Sequence, residues 1–435
     1  MSSEQATAHE ERRGAAFFFA TLFLRTAGTT EPYHRNHLHS TTIITCTLQV
    51  LCDPASKWRA KAKKEIDKYM NSKSETMEMI AQRIIVTEVT GATSPVAVTD
   101  ATVHAGATAS AQSWFSGGER VGYNPGNRAI VAAQDAPLKV FFRPEGDMTH
   151  AVTFMPGFPD GSFGWAKVLP HLPNAAEMPK LFFDYVGMGD SDKPKDYAFS
   201  TAERADLVEA IWRDFGVRST TLIAFDFSSL VVLEHLRRQL ERSGRGEPAD
   251  GPEIRGVFIF NGGLFTEGHT HPWYTTPMLR RLPNRARQTV GRPFGLFKRM
   301  PGIRKMWSKG YRVTEAELRE LHNALDRHDG LFYLAAGAGF VADHKAQRDR
   351  LDFGHIFKAY RAQFPFLIGG SNEDPFEHRQ VDLAQDRLGK LGLKIERLPG
   401  GHLTTHEQPE ALASLITKFE RGLSTSQSRN PKKQP

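Results

Sequence analysis

From residue 113 onward, short apolar runs alternate with segments whose apolar residues recur every three or four positions. Residues 129–133 and 138–142 read as two strands with a turn at Asp135-Ala136-Pro137. Residues 151–155, 181–185, 220–225, 256–260, 364–368 and 394–398 are strand-length apolar runs, as expected of strands buried on both faces. Between them, residues 164–172, 201–215, 230–240, 381–391 and 409–419 read as helices, and Gly216 closes the second. Strands alternating with helices predict an α/β fold with a mostly parallel sheet covered by helices on both faces. Residues 262–357 break the alternation. They are rich in helix formers, Arg and Pro and have no strand pattern. This predicts a helical cap, residues 262–357, inserted between two late strands of a core made of residues 113–261 and 358–423.

The flanks read differently. Residues 1–112 form an N-terminal extension in which 56–86 has helical spacing and 87–112 is a flexible linker of small residues. Residues 15–24 (AAFFFATLFL) are a short apolar run resembling the hydrophobic part of a signal or weak anchor, although Glu4, Glu10 and Glu11 precede it. Residues 424–435 read as a disordered polar tail.

Composition narrows the class. With 435 residues, 40% hydrophobic and 24% charged, the chain is neither disordered nor collagen-like. No apolar run reaches 18 residues, so no spanning helix is predicted. The two cysteines, Cys46 and Cys52, cannot staple the core, and so low a count fits a reducing, cytoplasmic or membrane-associated setting. The formal charge is +7, and residues 280–312 hold eleven Arg or Lys and no Asp or Glu. A solvated helix face is the plainer reading of such a run. Together with residues 15–24 it also offers a route to weak association with an anionic membrane. No zinc spacing or nucleic-acid motif accompanies it, so no nucleic-acid partner is expected.

Active sites in open parallel sheets lie at the carboxyl ends of the strands. At one exit, Ala224-Phe225-Asp226-Phe227-Ser228 runs from strand to helix through small-x-Asp-x-small. A turn this sharp strains its central residue and exposes its side chain beside the positive end of the next helix. That suits Asp226 as an ionised nucleophile, though an Asp there could also simply cap the helix. At another exit, His402 follows Gly400-Gly401. Asp374 lies beyond the strand ending near Gly369, with Glu373 as its rival. The order nucleophile, acid, histidine is that of the α/β-hydrolase triad.

Residues 113–422 resemble the α/β-hydrolase superfamily, in the branch of epoxide hydrolases and haloalkane dehalogenases, and look closest to the mesoderm-specific transcript protein group. The resemblance is carried by PGFPDGSFGW (156–165), DYVGMGDSDKP (184–194), AFDFS (224–228), FNGGLF (260–265) and PGGHLTTHEQPEAL (399–412). It implies that Asp226 forms an alkyl–enzyme ester and that His402, oriented by Asp374, activates the water that hydrolyses it. It further implies an oxyanion hole from the backbone N–H groups of Phe158 and Phe227, a cis Phe158-Pro159 bond, a small apolar substrate, and no metal or organic cofactor.

Several positions depart from the branch. Pro156 stands where relatives usually carry His, and Ser228 replaces the usual Gly. Phe227 and Phe158 stand where dehalogenases carry Trp and often Asn, and Phe has no N–H for a halide. Epoxide opening needs hydroxyl donors, which the cap residues Tyr274 and Tyr311 are candidates to supply. Phe340, where relatives carry a second Tyr, cannot donate. The leading expectation is an epoxide hydrolase-like enzyme. The alternatives are an esterase-like or other hydrolytic activity on the same scaffold, or a catalytically silent binding protein at an anionic membrane.

Overall fold

The computed structural model describes residues 109–271, 303–332 and 339–429. The chain divides into two units, Met1–Ala105 and Gly106–Pro435, and the first lies wholly outside the described residues. Outside them too are residues 15–24, the expected helix at 56–86, both cysteines and most of the basic run.

Among the described residues nine strands form one sheet in the order β2-β1-β3-β5-β4-β6-β7-β8-β9. They are β1 (Glu119–Asn124), β2 (Ala129–Val131), β3 (Leu138–Glu145), β4 (Val152–Met155), β5 (Lys180–Phe183), β6 (Ser219–Phe225), β7 (Glu253–Phe260), β8 (Phe366–Ser371) and β9 (Lys394–Leu398). β5, β4, β6, β7, β8 and β9 run parallel to one another, while β2, β1 and β3 add antiparallel pairs at one end, β3 against β5. Every residue of β4, β5, β6 and β8 is buried, which is why these strands read as unbroken apolar runs.

The two early strands expected at 129–133 and 138–142 do not pair with each other. Each pairs with β1, which enters between them. β1 (ERVGYN) escapes a hydrophobic scan because Gly122 interrupts it and Gly117-Gly118 and Asn124-Pro125-Gly126 flank it. The segment 164–172 is not an α-helix but two short 3-10 turns, Ser162–Trp165 and Leu169–His171, the second with Pro170 in its first turn.

Among the described residues the α-helices are α1 (Ala111–Ser116), α2 (Thr201–Asp214), α3 (Ser228–Gly244), α4 (Glu315–Asp326), α5 (Phe340–Ala346), α6 (Phe353–Tyr360), α7 (His378–Leu388), α8 (Thr404–Glu407) and α9 (Pro409–Arg429). α1 begins inside the stretch expected to be linker, because Trp114 and Phe115 anchor it in the core. α9 runs through Arg429, into the segment expected to be a tail. Nothing between Phe419 and Arg429 forbids it, since Gly422 is tolerated and the next Pro is Pro431. Two apolar clusters form the core. One joins α2, α3, α6 and α7 to the sheet; the other joins α1 and α9 together with the α4 part of the cap. Helices therefore cover both faces, with α4 and α5 inserted between β7 and β8. Among the described residues no helix is long and apolar enough to cross a membrane.

Candidate active site

β6 ends at Phe225 and α3 starts at Ser228, so Asp226 and Phe227 must turn the chain between them. Asp226 adopts φ +54°, a left-handed conformation that costs a non-Gly residue about 1–3 kcal/mol. Its backbone N–H donates to the Phe260 carbonyl at 3.2 Å and its carbonyl accepts from Ser229 N–H at 3.1 Å. A Cβ at Gly262 would stand 2.5 Å from that same carbonyl oxygen, so only glycine lets the β7 exit pass behind the turn. Ser228 uses its extra hydroxyl, which donates to the Pro156 carbonyl at 2.5 Å and lies 3.0 Å from Tyr185 Oη. That ties the β4 exit to the turn.

The exits of β4, β6, β8 and β9 bring three expected residues together. Asp226 Oδ2 accepts from Phe158 N–H at 2.9 Å, and the Phe227 N–H also donates to this carboxylate. Asp226 Oδ1 lies 3.6 Å from His402 Nε2. His402 Nδ1 donates to Asp374 Oδ2 at 2.9 Å, and Asp374 Oδ1 accepts from the N–H groups of Phe376 at 2.8 Å and Glu377 at 3.2 Å. Glu373, the rival acid, instead accepts from Lys309 N–H at the surface. The Phe158-Pro159 peptide is cis.

All three side chains are at most 4% exposed. Burial pushes Asp226 up to about 6, against the pull of His402 and the two N–H donors. For His402 burial works downward, but Asp374 and Asp226 outweigh it and raise the ring to about 9. The resting pair at neutral pH is therefore carboxylate and imidazolium.

Aromatic rings surround the group. Phe376 meets His402 edge-on at 4.8 Å, and Phe340 lies 5.7 Å from Phe158 and 5.9 Å from Phe227. The Arg204 guanidinium stacks 4.6 Å from the Phe227 ring. Such walls favour apolar ligands.

The structure does not bring Tyr311 to this group. Its hydroxyl donates to Glu317 and accepts from Lys167 Nζ at 3.3 Å, and burial and Glu317 push its pKa up. A hydroxyl already committed to a carboxylate is a poor proton donor to anything else. Tyr274 lies outside the described residues.

Sequence reasoning missed three residues that position the site. Asn261, at φ +45°, donates from Nδ2 to the His402 carbonyl at 2.8 Å and accepts Ser371 N–H at 2.9 Å. It joins the exits of β7, β8 and β9. Its place in the FNGGLF motif was the available signal. Phe376 carried none. Asp184, in DYVGMGDSDKP, is fully buried and accepts from Ser162 N–H at 2.6 Å and Asp190 N–H at 2.9 Å. It holds two loops together, and burial raises its pKa to about 6.

A family model for the alpha/beta hydrolase family matches residues 154–415. The chain belongs to the alpha/beta hydrolase family. Among characterised sequences this hydrolase is similar to mouse mesoderm-specific transcript protein, 28% identical over 228 residues, which covers 49% of this chain and 63% of that protein. It therefore spans less than two thirds of that relative's length. It is also 33% identical over 129 residues to a putative hydrolase, LipZ, of Mycobacterium tuberculosis, covering 30% of this chain and 42% of that one. Its fold is similar to that of haloalkane dehalogenase DatA from Agrobacterium tumefaciens C58, with TM-score 0.54 and 17% identity over 70% of this chain and 96% of that one. It is similar too to the epoxide hydrolase CorEH, with TM-score 0.50 and 16% identity over 70% and 99% of the two chains. At these identities the likeness shows the fold alone.

Proposed function

We propose that this α/β hydrolase works through an alkyl–enzyme ester on Asp226, in the manner of an epoxide hydrolase, on a small apolar electrophile. The observation that carries the reading is the split of the Asp226 carboxylate. Oδ2 accepts from the Phe158 N–H at 2.9 Å, the Phe227 N–H also donates to the carboxylate, and Oδ1 faces His402 Nε2 at 3.6 Å.

The chemistry follows from that split. Oδ1 attacks the electrophilic carbon and the carbon–leaving-group bond breaks; an epoxide's oxygen stays on the substrate and takes a proton from water. The ester carbonyl is then Oδ2, already held by the Phe158 N–H. His402 Nε2 takes a proton from water, the resulting hydroxide adds to Asp226 Cγ, and negative charge gathers on Oδ2, where the Phe158 N–H stabilises it. Collapse breaks the bond from Asp226 Cγ to the substrate oxygen, which leaves as alcohol with the proton held on His402, and Asp226 ionises back to the carboxylate. Asp374 holds the ring and stabilises the imidazolium. Ester formation itself readies the base: it removes the Asp226 charge, one of the influences holding His402 protonated.

The walls bear on the substrate. The side chains of Phe158, Phe227, Phe340 and Phe376 offer no N–H or O–H, which disfavours a halide leaving group. A serine esterase reading fares worse, because Ser228 is buried and its hydroxyl donates to Pro156. Association with an anionic membrane through residues 15–24 or the basic run remains a separate proposal, tested by vesicle flotation of the full chain.

The test is trapping. His402→Gln should leave attack by Oδ1 intact and block ester hydrolysis. Incubated with pooled epoxides, haloalkanes and esters, it should gain one adduct on the Asp226 peptide. Turnover by wild type with no such adduct would sink the reading.

A further inference from the structure

The strand exits carry a second buried cluster that the proposed chemistry does not use. After β7 the chain runs through Phe265 to His269, Thr270 and His271, with His269 extended at φ −67°, ψ 122°. Thr270 N–H donates to the Phe376 carbonyl at 2.8 Å, and Thr270 Oγ1 donates to it at 2.7 Å and to the Pro375 carbonyl at 3.1 Å. These bonds lock the His-Thr-His segment along the loop that leads into α7. Alternate residues of an extended chain share a side. His269 and His271 both turn to Glu377, whose Oε1 lies 2.8 Å from His269 Nδ1 and 2.9 Å from His271 Nε2.

We propose that His269, His271 and Glu377 form a binding site for a zinc-class divalent cation, using His269 Nδ1, His271 Nε2 and Glu377 Oε1. One ligand atom from each of the three residues falls within a sphere in which all lie within 4.8 Å of one another. Ligands at about 2.0–2.2 Å from a tetrahedral zinc are spaced about 3.3 Å apart, so small side-chain rotations suffice. Two imidazoles and one carboxylate favour zinc-class ions over calcium or magnesium, which prefer all-oxygen shells.

The shell behind these atoms is that of a metal site. Glu377 Oε2 accepts from Gln380 Nε2 at 2.9 Å, and Gln380 Oε1 in turn accepts from the N–H groups of Leu264 and Phe265. His269 Nε2 lies 2.9 Å from His344 Nδ1. With His344 Nδ1 as the acceptor, His269 keeps its proton on Nε2. That directs the other nitrogen of His269 at the cation, the usual role of a partner behind a metal-binding histidine. Without a cation, Glu377 Oε1 lies in hydrogen-bond range of both rings. When the cation enters, each ring binds it through an unprotonated nitrogen and keeps one proton on the other, His269 on Nε2 and His271 on Nδ1, and any second ring proton leaves to solvent.

The site borders the proposed catalytic group without sharing a ligand with it. His271 stacks on Phe376 at 5.1 Å, and Phe376 packs on His402. Asp374 and Glu377 belong to one loop. A bound cation would therefore brace the loop that holds Asp374, in a structural role.

The test is zinc titration of metal-free full-length protein at neutral pH, read by competition with a chromophoric chelator. Wild type should take up one equivalent that His271→Ala loses. His344→Phe should bind roughly 10–100-fold more weakly. Asp226→Asn should bind like wild type. Visible absorption of the cobalt-loaded protein should indicate a histidine-bound, low-coordinate ion. The proposal is overturned if wild type binds no zinc, if His271→Ala binds as wild type does, or if Cys46→Ser with Cys52→Ser abolishes the uptake. Should His271→Ala fail to fold, unchanged affinity in His344→Phe overturns it.

Discussion

Replacing Asp226 by Asn should make His402 a base at neutral pH. The charge removed lies 3.6 Å from His402 Nε2. Two unit charges at that distance interact by about 4.6 kcal/mol at an effective dielectric near 20, which is about three pKa units. His402, held at about 9 in the resting protein, should fall toward the ordinary histidine range. At pH 7 the neutral fraction then rises from about one molecule in a hundred to about nine in ten. Asn preserves the shape of the side chain, and Asp374 stays on Nδ1, so the change isolates the charge. It also mimics the charge state of the ester intermediate. The assay is a pH titration of ring-labelled histidines by NMR, with the His402 signal assigned by its loss in His402→Gln. A His402 pKa that stays near 9 in Asp226→Asn would refute the coupling and, with it, the account of how the base is readied.

Other outcomes follow from the same geometry. Phe340→Tyr places a hydroxyl beside Phe158 and Phe227, and should raise turnover of epoxides but not of simple esters in steady-state assays. Asn261→Leu removes the bond to the His402 carbonyl, and should lower kcat far more than KM while the circular dichroism spectrum is kept. Asp184→Ala leaves two buried N–H groups without acceptors at about 1–3 kcal/mol each, so urea denaturation should show a loss of about 2–5 kcal/mol. Glu377 has an ordinary value of 4.5; burial would raise it, but His269 and His271 lower it to about 2. Its contribution to stability is therefore present above 4.5 and lost as pH falls toward 2. Glu377→Gln should flatten the dependence of stability on pH in that window.

The parts of the fold that read clearly from the chain are those where burial is complete. β4, β5, β6 and β8 are buried along their whole length, and their apolar runs announce them. β1 is half-exposed and broken by Gly122, and it emerges only through its pairing with β2 and β3. Asp226, His402 and Asp374 could be picked out because backbone strain and strand order constrain their neighbours: small residues around the turn, and Gly401, where a Cβ would meet the backbone of Trp307 and Ser308. The partner of Tyr311 is not legible in the chain, because a position in the cap does not decide it and only the fold shows its bond to Glu317. Phe376 and the His269–His271–Glu377 group depend on a contact between segments more than a hundred residues apart, which no local pattern encodes.

The central claim is that the oxygen delivered to the substrate comes from Asp226. With a substrate found by trapping, a single turnover of excess enzyme in heavy-oxygen water decides it, read by mass spectrometry of both product and the Asp226 peptide. The account predicts light oxygen in the product and heavy oxygen in the Asp226 carboxylate. Heavy oxygen in the product with an unlabelled Asp226 would mean that water attacks the substrate directly, and would contradict it.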